Sequence, residues 1–146
     1  SGHRASWRCN NRRMILTRDD DCASWHVVRP WIDDACTRCD GWWTIEAVEK
    51  MLVEGLAQLW VLTDDGNVVA AVVTAISDWD GRKVAEIIVT GGSGVVESLD
   101  AELPVVEGWA RDLGAQEVIF RGRRGWARLY KPLGYDEIAV TMRKAL

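Results

Sequence analysis

Leu59-Trp-Val-Leu-Thr63 and Val68-Val-Ala-Ala-Val-Val-Thr-Ala-Ile76 are two apolar runs separated only by Asp64-Asp-Gly-Asn67. Gly and Asn tolerate the left-handed backbone that a tight reversal needs, so the two runs are predicted to pair as an antiparallel hairpin. Asp78-Trp-Asp-Gly81 supplies a second turn, and Val84 to Thr90 a third strand. Three antiparallel strands in a row cannot bury their own faces. The flanking chain must therefore supply helices to cover them.

It does so on both sides. Before the strands, Met14 to Arg18 reads as a short strand, followed by a helix from about Asp20 to Cys39, disturbed near Pro30. Thr44 is a predicted N-cap for a second helix, with Ile45, Val48, Met51, Leu52 and Leu56 at helical spacing and a Glu46–Lys50 pair on its wet face. After the strands, Gly91-Gly92-Ser93-Gly94 releases the chain into a helix from Val95 to Leu113. Its stripe is Val96, Leu99, Leu103, Val106, Ala110 and Leu113, and Pro104 is expected to kink or restart it. Gly114 ends that helix. Glu117 to Phe120 is a further core strand, Trp126 to Leu133 a short helix, and Ile138 to Met142 a last strand.

The predicted order is β-α-α-β-β-β-α-β-α-β. This implies an α+β fold, with a mostly antiparallel central sheet of about six strands and about four helices packed on its faces. Val84–Thr90 and Glu117–Phe120, joined by the long helix, should run parallel through a right-handed crossover.

Composition narrows the class. At 146 residues the chain suits one domain, expected to span residues 14–146. Residues 1–13 hold four arginines and no acid, and read as a tag or disordered extension, with Met14 as the natural start. Without those arginines the net charge of −4 becomes −8. The folded part is thus acidic, which suits a cationic small substrate and disfavours general affinity for nucleic acid. No apolar run approaches the ~18 residues of a membrane span, and a cytoplasmic location is expected. Cys36-Thr-Arg-Cys39 has the spacing of zinc and redox sites, but Cys9 and Cys22 do not form a second close pair. The expected reading is reduced thiols and no metal.

The element order, together with Ala127-Arg-Leu-Tyr130-Lys-Pro-Leu-Gly134-Tyr135, resembles the GNAT superfamily of acyl-CoA-dependent N-acetyltransferases and its A-x-x-L-Y-x-x-x-G-[FY] motif. The likeness spans Met14 to Leu146. It implies acetyl-CoA as co-substrate and direct attack of an amine on the thioester. Tyr130 would be the general acid at the departing sulfur, since a phenol stays protonated at neutral pH. The pyrophosphate would sit at the turn formed by Val89, Thr90, Gly91, Gly92, Ser93, Gly94 and Val95, where backbone N–H groups face a helix start. Val89 stands where the family has Arg or Gln. Arg123 and Arg124 would flank the adenosine-phosphate end, or else face water. Glu86 is the candidate base, against the plain alternative of a strand residue facing solvent. Trp31, Trp42, Trp43 and Trp79 are candidates for an acceptor pocket, whereas Trp60, Trp109 and Trp126 are expected to pack.

Short motifs, among them Gln58-Leu59-Trp60 and Arg121-Gly-Arg-Arg-Gly-Trp126, look similar to small GNAT-like proteins of phages and prophages. Three function classes stay open. The first is an N-acyltransferase for a small amine or peptide amine. The second is a phage-type nucleic-acid-modifying protein, resting on the basic cluster from Arg121 to Arg128. The third is a non-catalytic acyl-CoA-binding or interaction domain. A sheet edge left by a short C-terminus would suit a homodimer.

Overall fold

The computed structural model describes residues 4–9, 12–39 and 42–146. Its strands are β1 (Arg4–Cys9), β2 (Arg12–Arg18), β3 (Gln58–Asp64), β4 (Asn67–Trp79), β5 (Arg82–Gly92) and β6 (Glu117–Phe120). The helices are α1 (Trp25–Thr37), α2 (Ile45–Val53), α3 (Leu99–Asp112) and α4 (Arg124–Tyr130), the last continued by a 3-10 turn at Lys131–Leu133. The six strands lie in one sheet in sequence order, antiparallel from β1 to β5 and parallel between β5 and β6. The expected hairpins are present, as is the parallel pair joined through α3.

Each face of the sheet carries its own core. On one side α3 and α4 cover Leu16, Trp60, Leu62, Val72, Ala85 and Ile87. On the other, α1 and α2 bring Val28, Ile32 and Val48 against Leu59, Val61, Val73, Ile88 and Val89. The alternation along β3 and β4 that reads as sheet in the sequence is this division between two cores. Trp60 and Trp109 pack edge to face with centroids 5.5 Å apart.

Several expectations are corrected. Residues 4–9 form a strand paired with β2, from Arg4 opposite Thr17 to Cys9 opposite Arg12, and not a disordered extension. β5 runs on through Gly91 and Gly92, which pair with Ala71 and Ala70, so the turn begins only at Ser93. α3 starts at Leu99, four residues later than expected, and continues through Pro104 without a restart. α1 likewise runs through Pro30. Each proline leaves one carbonyl without its helical partner, a local loss that packing on the sheet outweighs. Val96, Leu113 and Leu56, placed in apolar stripes by spacing, are 48%, 45% and 58% exposed. Thr44 caps α2 as expected, its hydroxyl accepting from Ala47 N–H at 3.1 Å, while Lys50 pairs with Glu54 in place of Glu46. The last strand is absent: residues 135–146 carry no regular element, and Ile138, Val140 and Met142 are exposed.

Candidate active site

The parallel pair sets up the site. β5 and β6 run in register from Val84 opposite Glu117 to Ile87 opposite Phe120. There β6 ends, while β5 continues beside β4 to Gly92. From Ile88 onward, the edge of β5 that faced β6 is open. At the same point the register between β4 and β5 shifts: Thr74 pairs with Ile87, but Val73 pairs with Val89. Ile88 is thus an extra residue, and Ile88 and Val89 both turn toward the α1–α2 core. A bulge of this kind leaves one residue out of the ladder and re-aims the strand.

Tyr130 lies beneath this opening. It is 5% exposed, and its ring stacks on Phe120 with centroids 4.5 Å apart and planes 11° from parallel. Trp126 and Tyr135 meet it edge-on, at 6.1 Å and 5.0 Å. The Gly134-Tyr135 half of the motif has a mechanical reason. Gly134 takes φ +93°, which ends the 3-10 turn and brings Tyr135 back over Tyr130. Tyr135 N–H then bonds the Tyr130 carbonyl at 3.3 Å, and its hydroxyl donates to Glu107 Oε2 at 2.8 Å. Burial raises the pKa of Tyr130 above the ordinary phenol value, and the nearby Glu102 adds to that. The phenol stays protonated.

Glu86 stands opposite Ile119 on the same seam, 8% exposed. Ala85 and Ile87 on either side of it belong to the core that holds Tyr130, so alternation turns Glu86 to the other face of the sheet. It does not face open solvent. Burial raises its carboxyl above the ordinary value, and the charge of Arg121 pulls the other way. The Arg121 guanidinium in turn lies 4.5 Å from the Trp42 ring centroid. The acid and base candidates therefore flank one seam from opposite faces.

A cleft of about 1280 Å³ runs along β6 and α4, lined among others by Trp42, Trp43, Trp79, Arg121, Tyr130 and Tyr135. Arg123 and Arg124 line it as well, both exposed. Glu86 and the Gly91–Val95 segment do not. Trp31 is also outside it, packing in the α1–α2 core.

The glycine segment divides into two parts. Gly91 is buried, and a Cβ there would stand 2.5 Å from the Trp31 carbonyl oxygen, so this glycine lets α1 cross the strand closely. Gly92 has φ +106°, and a Cβ on it would meet the Val69 carbonyl oxygen at 2.4 Å. Ser93 N–H is already bonded to that carbonyl at 2.9 Å. Val89 and Thr90 are strand residues paired with Val73 and Val72. Among the described residues, the N–H groups of Gly94, Val95 and Val96 carry no backbone hydrogen bond. The cradle that the sequence places over Val89–Val95 thus contracts to its last residues.

Two features escape the sequence. The bulge has no residue signature. Glu102 is 3% exposed although ionisable, and its place three residues after Leu99 and four before Val106 puts it in the buried stripe of α3. No group of metal-binding side chains occurs among the described residues, where Cys22, Cys36 and Cys39 are free thiols. No helix of the described residues is long and apolar enough to cross a membrane.

No protein-family model and no curated protein matches the chain. Solved structures do. A GCN5-related N-acetyltransferase from Ralstonia eutropha JMP134 superposes with a TM-score of 0.66 at 14% identity, covering 90% of this chain and 98% of that one. The fold is that of the GCN5-related N-acetyltransferases. Aminoglycoside N-acetyltransferase AAC(6')-Iy, in complex with CoA, superposes on this GNAT fold with a TM-score of 0.66 at 13% identity, covering 96% of this chain and all (100%) of that one. A predicted acetyltransferase from Clostridium acetobutylicum, with acetyl-CoA, gives 0.63 at 11% identity over 90% and 96% of the two chains.

Proposed function

We propose that this GNAT-fold chain is an acyl-CoA-dependent N-acyltransferase, with acetyl-CoA as co-substrate and a small amine or peptide amine as acceptor. The observation that carries this reading is the seam itself. β5 and β6 separate after Ile87 and Phe120, Tyr130 is stacked beneath, and Glu86 stands on the opposite face. The free edge of β5 from Ile88 suits the amide-bearing arm of coenzyme A. The N–H groups of Gly94, Val95 and Val96 suit its pyrophosphate, with Arg123 and Arg124 at the cleft for the remaining phosphate.

The division of labour follows from the faces. Glu86, raised by burial, takes a proton from the acceptor ammonium, whose nitrogen attacks the thioester carbon. The C–S bond breaks with its electron pair on sulfur, and the second proton of the attacking nitrogen leaves to that thiolate or to water. Tyr130 meets that sulfur from the other side as a hydrogen-bond donor. Transfer of its proton to a thiolate, whose acid has a pKa of ~8.5, is uphill for a phenol raised above ~10. Donation without full transfer is therefore its main part. Trp42, Trp43 and Trp79 give the acceptor an apolar wall on the cleft.

The test is to screen amines for CoA release from acetyl-CoA, with Glu86→Gln and Tyr130→Phe as paired controls. Acyl transfer by the wild type that both variants retain in full refutes these assignments. A second reading has its own observation. Arg121, Arg123, Arg124, Arg128 and Lys131 all line the cleft, a basic wall on a chain of net charge −4. That wall suits the phosphate backbone of a nucleic acid. Fluorescence polarisation with labelled DNA at two salt concentrations decides between them. A non-catalytic acyl-CoA-binding domain is the outcome if acetyl-CoA binds and no amine is acylated.

A further inference from the structure

Glu102 is a buried acid that these roles leave unexplained. It belongs to the start of α3, and Leu99, Leu103 and Val106 around it lie in the same core as Tyr130. Its Oε2 is 2.5 Å from Ser98 Oγ, and Ser98 Oγ is 2.8 Å from the carbonyl oxygen of Gly94. A serine hydroxyl has one hydrogen to give. The Gly94 carbonyl can only accept, so the serine hydrogen goes there. Ser98 Oγ must then accept, and the hydrogen of the second bond belongs to Glu102. The other carboxyl oxygen, Oε1, is buried without a hydrogen-bond partner, an arrangement far less costly for a neutral acid than for an anion.

We propose that Glu102 is a positioning residue which, as a neutral carboxylic acid, holds Ser98 and through it the Gly94 carbonyl. It thereby fixes the phosphate-binding turn in the conformation that leaves the N–H groups of Gly94, Val95 and Val96 for an anion. This inference rests on the reading of that turn as the pyrophosphate cradle. The groups acting on Glu102 are Glu97 and Asp100 from its own segment and Tyr130 from α4. Arg18 of β2 lies further along α3, over Trp109. The β2 and β3 residues in the same core, Met14, Leu16, Trp60 and Leu62, carry no charge. Burial pushes the carboxyl up to about 8, and its neighbours Asp100 and Glu97 add to that; only a Ser98 hydroxyl turned to donate to the carboxylate would act the other way. Ionisation removes the hydrogen that Ser98 accepts. It also places a buried negative charge behind a turn that must receive another.

The experiment is calorimetric titration with acetyl-CoA at pH 7 and pH 9, a range in which its phosphates stay ionised. The proteins are the wild type, Glu102→Gln and Ser98→Ala. The wild type should lose about tenfold in affinity between the two values, as expected for one controlling proton. Glu102→Gln, whose amide can still donate to Ser98, should bind equally at both and match the wild type at pH 7. Ser98→Ala should bind more weakly already at pH 7. Equal wild-type affinity at pH 7 and pH 9, or the same loss in Glu102→Gln, overturns the proposal. If acetyl-CoA binds no variant at any pH, the functional reading fails, and the clamp is judged separately by infrared difference spectra of wild type minus Glu102→Gln. A carboxylic-acid band present at pH 7 and gone at pH 9 upholds the neutral acid, and its absence at pH 7 overturns it.

Discussion

Phe120 lies flat against Tyr130, with ring centroids 4.5 Å apart, at the last residue of β6. The stack ties the end of the parallel pair to α4, so the strand that opens the seam also aims the tyrosine. Tyr130→Phe keeps this ring contact and the edge contacts of Trp126 and Tyr135. The fold and acetyl-CoA affinity should therefore hold, and the loss should fall on kcat by about a hundredfold, the scale of one lost hydrogen-bond donor to developing charge. Steady-state kinetics with an accepted amine, alongside a thermal melt, check this. Unchanged kcat in a folded variant removes Tyr130 from the chemistry.

Glu86 predicts a pH dependence. A base must be ionised to act, and burial raises this carboxyl above its ordinary value. Turnover should fall as pH drops through that raised value, well before an exposed carboxylate would protonate. In Glu86→Gln that acidic limb should vanish, with a rate lower by about 10²–10⁴ at neutral pH. The profile of kcat/KM against pH is the measurement, and an identical limb in both proteins assigns it to another group.

Much of this arrangement is legible in the residues. Asp-Gly turns between alternating apolar runs dictate the hairpins, because few other structures satisfy both signals. Tyr130 is marked by its motif. What stays hidden depends on contacts between distant segments. Gly91 and Gly92 read as a turn, but α1 and β4 press on them so closely that they belong to the strand. The bulge at Ile88 exists only in the register with β4. Glu102 stands outside the apolar stripe that spacing assigns to α3, because a carboxyl that keeps its proton when buried looks the same in sequence as a charged one. Ile138 to Met142 alternates as a strand should, yet a strand needs a partner edge as well as a pattern.

Gly91 yields a stability prediction. In Gly91→Ala the new Cβ would lie 2.5 Å from the Trp31 carbonyl oxygen and 2.7 Å from its carbon, both backbone atoms. No rotamer relieves this. Either α1 lifts from β5 or the strand bends, at a cost of about 1–3 kcal/mol typical of overpacking. Gly92→Val adds an unfavourable positive φ to a backbone clash with β4, and should cost more. Urea denaturation checks both, and stability equal to the wild type in either would show that the two backbones yield freely.

Glu102 links stability to pH. Its folded pKa of about 8 stands above the ordinary 4.5, so the folded protein holds a proton that the unfolded chain releases. Stability from this group therefore falls as pH rises from about 4.5 toward about 8, and levels off above. Glu102→Gln should lack this slope, so the melting temperatures of the two proteins should diverge over that window in favour of the variant. Parallel melts at pH 5, 7 and 9 test it, and a constant difference between them would place the carboxyl in water.

Thr74 completes a buried chain on the far side of the same core. It is 0% exposed, and its single hydroxyl both accepts from Trp60 Nε1–H at 3.0 Å and donates to Gln58 Oε1 at 3.0 Å. Thr74→Val keeps the shape and the β-branched preference for a strand, but leaves the indole N–H without its acceptor. Trp60 is itself 0% exposed, so water cannot replace the bond. A stranded buried donor costs about 1–3 kcal/mol, which for a chain of this size lowers the melting temperature by roughly 3–10 °C. Thr74→Ser retains the hydroxyl and gives up one methyl group, so it should recover part of the loss. If the Val variant melts with the wild type, the hydrogen-bond chain adds nothing measurable, and if the Ser variant melts as low as Val, the methyl group matters as much as the hydroxyl.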